Sequence, residues 1–129
     1  MKYLSYEQIL LLHSIAIDET GGIHGVRDLN AVLALIGLPR QKAFGQELYK
    51  GVFLKTAVYA RNIISSHPFL DGNKRTAMVA AGVFLEENGY RVIAEEGEIE
   101  KCALDIALGN RDLGWISGWF KKHSKKVKK

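Results

Sequence analysis

The chain has 129 residues, of which 47% are hydrophobic, and it carries 18 Lys and Arg against 14 Asp and Glu. This length and composition predict one globular domain with a real core. The longest apolar run, residues 77–85, falls far short of the roughly 20 residues that cross a bilayer, and the N-terminus lacks a signal-peptide pattern, so we expect a cytoplasmic protein.

The positive charge is concentrated at the C-terminus. Residues 121–129 hold six of the 18 Lys and Arg and no acidic residue, which leaves 12 basic and 14 acidic residues in residues 1–120. Terminal lysine runs are more often solubilising tails than binding sites. We therefore predict a folded domain over residues 1–120 and a basic, disordered tail over residues 121–129, which can add a weak, salt-sensitive attraction to RNA.

The first two helices are predicted from their capping residues. Ser5 and Gln8 have the spacing of a capping box ahead of an apolar run, and the helix should end near residues 20–22, where paired glycines begin. Asp28 caps a second helix that Gly37 and Pro39 stop. Residues 39–50 have no regular period and are expected to form a loop with apolar anchors.

A third helix is predicted over residues 49–65, and it should end before Pro68. The proline ring disfavours the α conformation at His67, so this histidine should leave the helix and face solvent. The next helix, residues 74–87, is apolar on nearly every side and should lie at the centre of the fold.

The remaining elements complete an all-α prediction. Residues 90–93 can form a short extended segment, residues 95–108 a helix, and Asp112 caps a last helix that carries two tryptophans. Cys102 has apolar neighbours at helical spacing and is interpreted as a core residue. The predicted architecture is a compact, single-domain helical bundle with at most one short β-hairpin or extended segment.

The turn SHPFLDGNKRT contains the residue types of a phosphate site. The N-terminus of a helix offers free backbone N–H groups and the positive end of its dipole. Here Gly72 permits close approach to the backbone, Asn73 is a neutral donor, and Lys74 and Arg75 are cations. These four residues are predicted to bind a polyphosphate.

Two further side chains of the turn have chemical roles in this interpretation. Asp71 is a hard oxygen ligand placed to hold Mg²⁺ against phosphate oxygens, and His67 can take a proton from an attacking hydroxyl. A Walker A loop is excluded because Asn73, not glycine, precedes Lys74. His13 and His24 have no partner at metal-ligand spacing and are interpreted as structural.

The segment HPFLDGNKR resembles the core of the Fic/Doc superfamily, whose motif reads HxFx(D/E)GNxRxxR and joins two helices of a small bundle. The order of GGIHGVRD, a loop ending in ELY, a long helix and the motif is similar to that of death-on-curing (Doc) proteins. The motif positions present are His67, Phe69, Asp71, Gly72, Asn73 and Arg75.

The resemblance implies a role for each matched position. His67 would be the general base, Asp71 would hold Mg²⁺, and Gly72, Asn73 and Arg75 would line the anion hole. The resemblance also implies that Phe69 is buried as an anchor and that residues 40–48 correspond to the flap that aligns a target chain.

Two departures from the superfamily motif bear on the reaction. Most Fic enzymes that transfer AMP have glycine at the position of Lys74 and a second arginine at that of Met78. Doc proteins share both departures, and they are thought to bind ATP in the reverse sense and to transfer its γ-phosphate to a threonine of elongation factor Tu. The resemblance therefore implies a toxin with kinase activity, while AMP transfer and a non-enzymatic nucleotide- or RNA-binding module remain alternatives.

The inhibitory segment of many Fic enzymes, (S/T)xxxE(G/N), is absent from the sequence. Glu96 and Gly97 match its end, but Val92 stands where the hydroxyl residue is required. Restraint is then expected from a second protein, which for Doc proteins is a small antitoxin with a disordered C-terminal segment.

Overall fold

The computed structural model describes residues 1–127, and residues 128–129 lie outside the described part. The six helices are α1 (Tyr6–Thr20), α2 (Leu29–Gly37), α3 (Val52–Ser66), α4 (Asn73–Glu87), α5 (Glu96–Ala107) and α6 (Leu113–Lys122). A 3₁₀ helix spans Leu38–Arg40, and the strands are β1 (Lys42–Ala43), β2 (Gln46–Glu47), β3 (Tyr90–Val92) and β4 (Ser124–Lys126). The predicted all-α class and single domain are confirmed.

The predicted starts of α1, α2 and α6 are confirmed by their caps, whereas α3 begins at Val52 rather than at residue 49. The Ser5 hydroxyl accepts a hydrogen bond from the Gln8 N–H, and the Gln8 side chain accepts one from the Ser5 N–H. The side chains of Asp28 and Asp112 cap α2 and α6 in the same way. Each such cap contributes about 1 kcal/mol, because it satisfies a backbone donor that the helix itself leaves free.

Helix α4 lies at the centre of the bundle, as predicted. It packs against α1, α3, α5 and β3, and Ala77, Ala80 and Ala81 are fully buried in it. These small side chains let the neighbouring helices approach closely, and the first turn of α4 is thereby held on a rigid element.

The prediction of a disordered tail over residues 121–129 is wrong for residues 121–126. Lys121 and Lys122 belong to α6, and residues 124–126 form β4, which pairs antiparallel with β3. The physical reason is backbone pairing: β3 presents unpaired N–H and C=O groups, and β4 satisfies them whatever its side-chain charge. The structure thus has two small sheets in the described residues, the β1–β2 hairpin and this β3–β4 pair.

Loop 38–50 is anchored by a buried lysine. Lys55, on α3, is 0% exposed, and its ammonium donates to the carbonyls of Pro39 and Tyr49 and lies 3.0 Å from a carboxylate oxygen of Glu47. Its hydrogen bond and charge lower the pKa of Glu47. The β1–β2 hairpin is therefore fixed to α3 rather than merely connecting two helices.

None of the helices within residues 1–127 is both long enough and apolar enough to cross a membrane.

Candidate active site

The turn between α3 and α4 begins with His67 in an unusual conformation. His67 has φ 47° and ψ 59°, in the left-handed region, and its side chain is exposed. The predicted departure from the helix and exposure to solvent are confirmed. The proline that follows excludes a right-handed continuation, and the chain here takes the left-handed rather than the extended conformation.

The middle of the turn is anchored in the core by Phe69. Its side chain is 1% exposed, and its ring stacks on His13 with 3.8 Å between centroids and 5° between planes. The main-chain N–H and C=O of Phe69 exchange two hydrogen bonds with the side-chain amide of Asn73. Asn73 thus braces the turn while it forms the first residue of α4.

Gly72 lets the chain enter α4. It has φ 73°, which favours glycine, and a Cβ built on it would lie 2.7 Å from Cδ1 of Ile17. Behind it, the backbone N–H groups of residues 73–75 have no acceptor among the hydrogen bonds of the described chain. These free donors and the helix dipole make the α4 N-terminus suited to an anion.

The Arg75 guanidinium has one nitrogen in an ion pair and another without a hydrogen-bond acceptor in the described chain. Its Nη1 forms an ion pair with Glu96 of α5, whereas its Nε is buried and has no acceptor in residues 1–127. Lys74 beside it is exposed. The sequence does not predict Glu96 as a site residue; its only signal is the Glu96-Gly97 pair that fails the inhibitory pattern at Val92.

Asp71 is held by three hydrogen bonds around the turn. Its Oδ1 accepts from the Gly72 N–H at 2.9 Å and its Oδ2 from the Ile23 N–H at 3.1 Å. Its main-chain oxygen accepts from Nε2 of His13 at 2.9 Å. A carboxylate has about four acceptor positions, so two remain on this exposed side chain for a cation.

The residues present fit a magnesium ion that binds together with a polyphosphate. Residues 1–127 contain no cluster of three potential metal-ligating side chains. Mg²⁺ in nucleotide sites is commonly held by one or two carboxylates, water and the phosphates themselves. Asp71 would supply one carboxylate, and the free backbone donors of α4 with the unpaired Arg75 Nε would supply contacts for the phosphates.

Two cavities meet at the turn. The larger, about 600 Å³, lies on the side of Arg75 and α5, and its lining includes Thr20, Met78, Glu96, Ile99, Glu100 and Ala103. The smaller, about 490 Å³, contains His67. Both are lined by residues 71–74. The cavity that contains His67 and the cavity that contains Arg75 thus share these four lining residues.

The structure adds two residues that the sequence does not predict for the site. His13 holds the Asp71 carbonyl, and Arg27 donates to the main-chain oxygens of Ser66 and His67. The structural interpretation of His13 and His24 is confirmed, since His13 is 4% exposed and His24 bonds Asp18 on the surface. The roles of His13 and Arg27 have no local signal in the sequence, because both residues bond to main-chain carbonyls that are far away along the chain.

The prediction that Cys102 is a core residue is confirmed. The side chain is 1% exposed, and burial raises the pKa of its thiol to about 12. A buried thiol with a raised pKa is a poor nucleophile, and Cys102 does not line either cavity at the turn.

Comparison with known proteins gives consistent results over most of the chain. Residues 3–85 match the sequence model of the Fic/DOC family. A protein named Toxin Doc from Mycolicibacterium smegmatis is 35% identical over 118 residues, covering 90% of this chain and 88% of that protein. Protein kinase doc of Escherichia phage P1 is 34% identical over 122 residues, covering 95% of each.

Proposed function

The chain belongs to the Fic/DOC family, and we propose that it is a toxin that transfers the γ-phosphate of ATP to a hydroxyl group of a target protein. The observation that carries the choice of phosphate over AMP is the pair Lys74 and Met78. Lys74 adds a second cation beside Arg75 at the N-terminus of α4. Met78, which is 7% exposed, places an apolar side chain in the lining of the larger cavity. A second arginine is therefore missing where AMP-transferring relatives contact phosphate.

Each residue of the turn has a defined task in this reaction. His67 accepts the proton of the attacking hydroxyl. The backbone N–H groups of α4 and the side chains of Lys74 and Arg75 bind phosphate oxygens and stabilise the negative charge of the transition state. Asp71 would hold Mg²⁺, which would supply further neutralisation of phosphate charge. The rigid position of α4 orients these donors before the substrates arrive.

The target and the regulator of this toxin are proposed from the family resemblance. The target is a translation factor, elongation factor Tu, whose modification on a hydroxyl group stops protein synthesis. The regulator is a small antitoxin whose disordered C-terminal segment folds along the toxin, and the two together form a toxin–antitoxin system. Disordered segments suit this task because they cover a large surface and are readily removed.

Labelled ATP tests the reaction directly. The protein is incubated with MgATP and purified elongation factor Tu, and in parallel with cell extract, with label on either the α- or the γ-phosphate. We expect label on the target only from the γ position, and its loss in His67→Ala. Label transferred from the α position would show AMP transfer instead, and the kinase proposal would then be abandoned.

A second experiment separates catalysis from a binding role of the basic C-terminus. Deletion of residues 121–129 would remove β4 and the end of α6, so a substitution is the cleaner test. Lys125→Gln together with Lys126→Gln removes two exposed charges and keeps the strand backbone. We expect growth arrest on expression to persist in this variant and to vanish in His67→Ala; the opposite pattern would favour a non-enzymatic, RNA-binding module.

A further inference from the structure

Residues 22–28, named here the bracing loop, run along the catalytic turn and bond to it repeatedly. The Leu70 N–H donates to the Gly25 carbonyl at 3.0 Å, and the N–H groups of Arg27 and Asp28 donate to the Pro68 carbonyl at 2.8 and 3.0 Å. The Ile23 N–H donates to the Asp71 carboxylate. The loop thus holds the turn by its backbone from Pro68 to Asp71.

At Gly22 the bracing loop lies so close to the turn that there is no room for a side chain. A Cβ on Gly22 would lie 2.6 Å from Oδ2 of Asp71, and the φ of Gly22 is 121°, a value that non-glycine residues rarely adopt. The loop therefore approaches the Asp71 carboxylate with bare backbone.

Arg27 extends this bracing to the residue that carries the base. Its Nη2 donates to the main-chain oxygen of Ser66 at 2.6 Å, and its Nε donates to that of His67 at 2.5 Å. These two carbonyls belong to the peptide groups on either side of the His67 Cα. One planar guanidinium therefore fixes both peptide planes, whose relative orientation defines φ and ψ of His67.

The conformation of His67 explains why such a restraint is needed. A left-handed conformation is unfavourable for a residue with a Cβ, and it persists only where the surroundings determine it. In this turn Pro68 disfavours the right-handed alternative, but an extended conformation stays open to an unrestrained chain. Because the Cα–Cβ bond turns with the backbone, a change of φ and ψ would point the imidazole elsewhere.

We propose that Arg27 is a positioning residue, which sets the direction of the His67 imidazole through the backbone. Arg27 is exposed, so its side chain does not fill the core, and the guanidinium also places a cation at the C-terminal end of α3, where the helix dipole favours one. The proposal rests on the proposed function only in taking His67 as the base; the restraint on the turn is independent of the reaction.

The kinetic test compares Arg27→Met with Arg91→Met. Both remove one exposed arginine, but Arg91 lies on β3 and its side chain has no hydrogen bond within the described chain. We expect Arg27→Met to lower kcat for phosphotransfer by about 100-fold, as misplacement of a catalytic group by an ångström does, with the Kd for MgATP changed less than twofold. Arg91→Met should leave both unchanged. An unchanged kcat in Arg27→Met, or a loss confined to ATP binding, would overturn the proposal.

A second readout needs no activity. Amide hydrogen exchange without nucleotide should be at least tenfold faster at Leu70 and Asp28 in Arg27→Met, while exchange at Ala80 and Ala81 in α4 stays as in the wild type. Arg27→Lys keeps the charge but cannot donate to both carbonyls at once as a guanidinium does. This variant should give exchange rates and a kcat between those of wild type and Arg27→Met. It also keeps the proposal testable if the methionine variant folds poorly. Unaltered exchange in both variants would refute the restraint by Arg27. If exchange changes in the variants but the wild-type protein transfers no phosphate, only the proposed function is refuted.

Discussion

Arg75 and Glu96 form an ion pair across the larger cavity, so the cation predicted to bind phosphate already has a carboxylate partner. Glu96 stands in the first turn of α5, and its side chain is half exposed. A phosphate that binds Arg75 must therefore share the guanidinium with Glu96 or displace it. If ATP binds there, the pair would connect nucleotide binding to the position of α5.

Glu96→Gln is predicted to bind ATP more tightly. Removal of the carboxylate frees the Arg75 guanidinium, and an exposed ion pair of this kind is worth at most about 1 kcal/mol, which corresponds to about fivefold in Kd. The measurement is calorimetric titration with MgATP. The control is Glu100→Gln, which makes the same charge change one turn along α5 in the same cavity and should alter Kd by less than twofold. Equal effects of the two variants would show that only the overall charge of the cavity matters.

His67→Ala is predicted to lower the rate of phosphate transfer by at least about 100-fold without a loss of nucleotide affinity. A positioned general base contributes about 100- to 10,000-fold to rate, and the exposed imidazole can be removed without leaving a buried cavity. The rate of γ-phosphate transfer and the Kd for MgATP are measured on the same sample. His24→Ala, on the surface beside Asp18, serves as the control and should behave as wild type. Full activity in His67→Ala would exclude this residue as the base.

His13→Phe is predicted to destabilise the protein although it keeps an aromatic ring against Phe69. The phenyl ring cannot donate to the Asp71 carbonyl, and loss of this partly buried hydrogen bond costs about 1 kcal/mol. Urea unfolding followed by tryptophan fluorescence measures the free energy of unfolding. His24→Phe, on the surface, should stay within about 0.5 kcal/mol of wild type; a similar small change for His13→Phe would show that stacking alone matters.

Local signals predicted the helices and the turn well. Ser5 with Gln8, Asp28, Asp112 and Pro68 act within a few residues of where they stand, and each one marks an element boundary in the structure. The motif residues likewise lie in one continuous stretch, so the sequence alone brings them together.

Contacts between distant segments could not be read from these signals. Strand β4 exists because β3 has a free edge, which no property of the lysine run reveals. The Arg75–Glu96 pair and the contacts of His13 and Arg27 join residues 21 to 58 positions apart. A charged or polar side chain has many possible partners along the sequence, and only the packing of the helices decides among them.

The Glu47–Lys55 pair predicts a specific dependence of stability on pH. The hydrogen bond and charge of Lys55 lower the pKa of Glu47 in the folded protein below its ordinary value. The folded state therefore favours the ionised carboxylate, and this contribution is fully present above the ordinary glutamate pKa, near 4.3. It is lost as the pH falls through the lowered folded value.

Urea unfolding of wild type and Glu47→Gln at several pH values between 7 and 3 tests this dependence. The variant should be less stable than wild type at pH 7, and the gap should narrow as the pH falls below the ordinary glutamate pKa, because the wild-type carboxyl group then begins to take up a proton and loses its charge. Glu86→Gln, an exposed residue of α4 with no ion pair in residues 1–127, is the control for removing one carboxylate. A gap of constant size across this range would mean that the side chain of Glu47 stabilises the hairpin by something other than its charge.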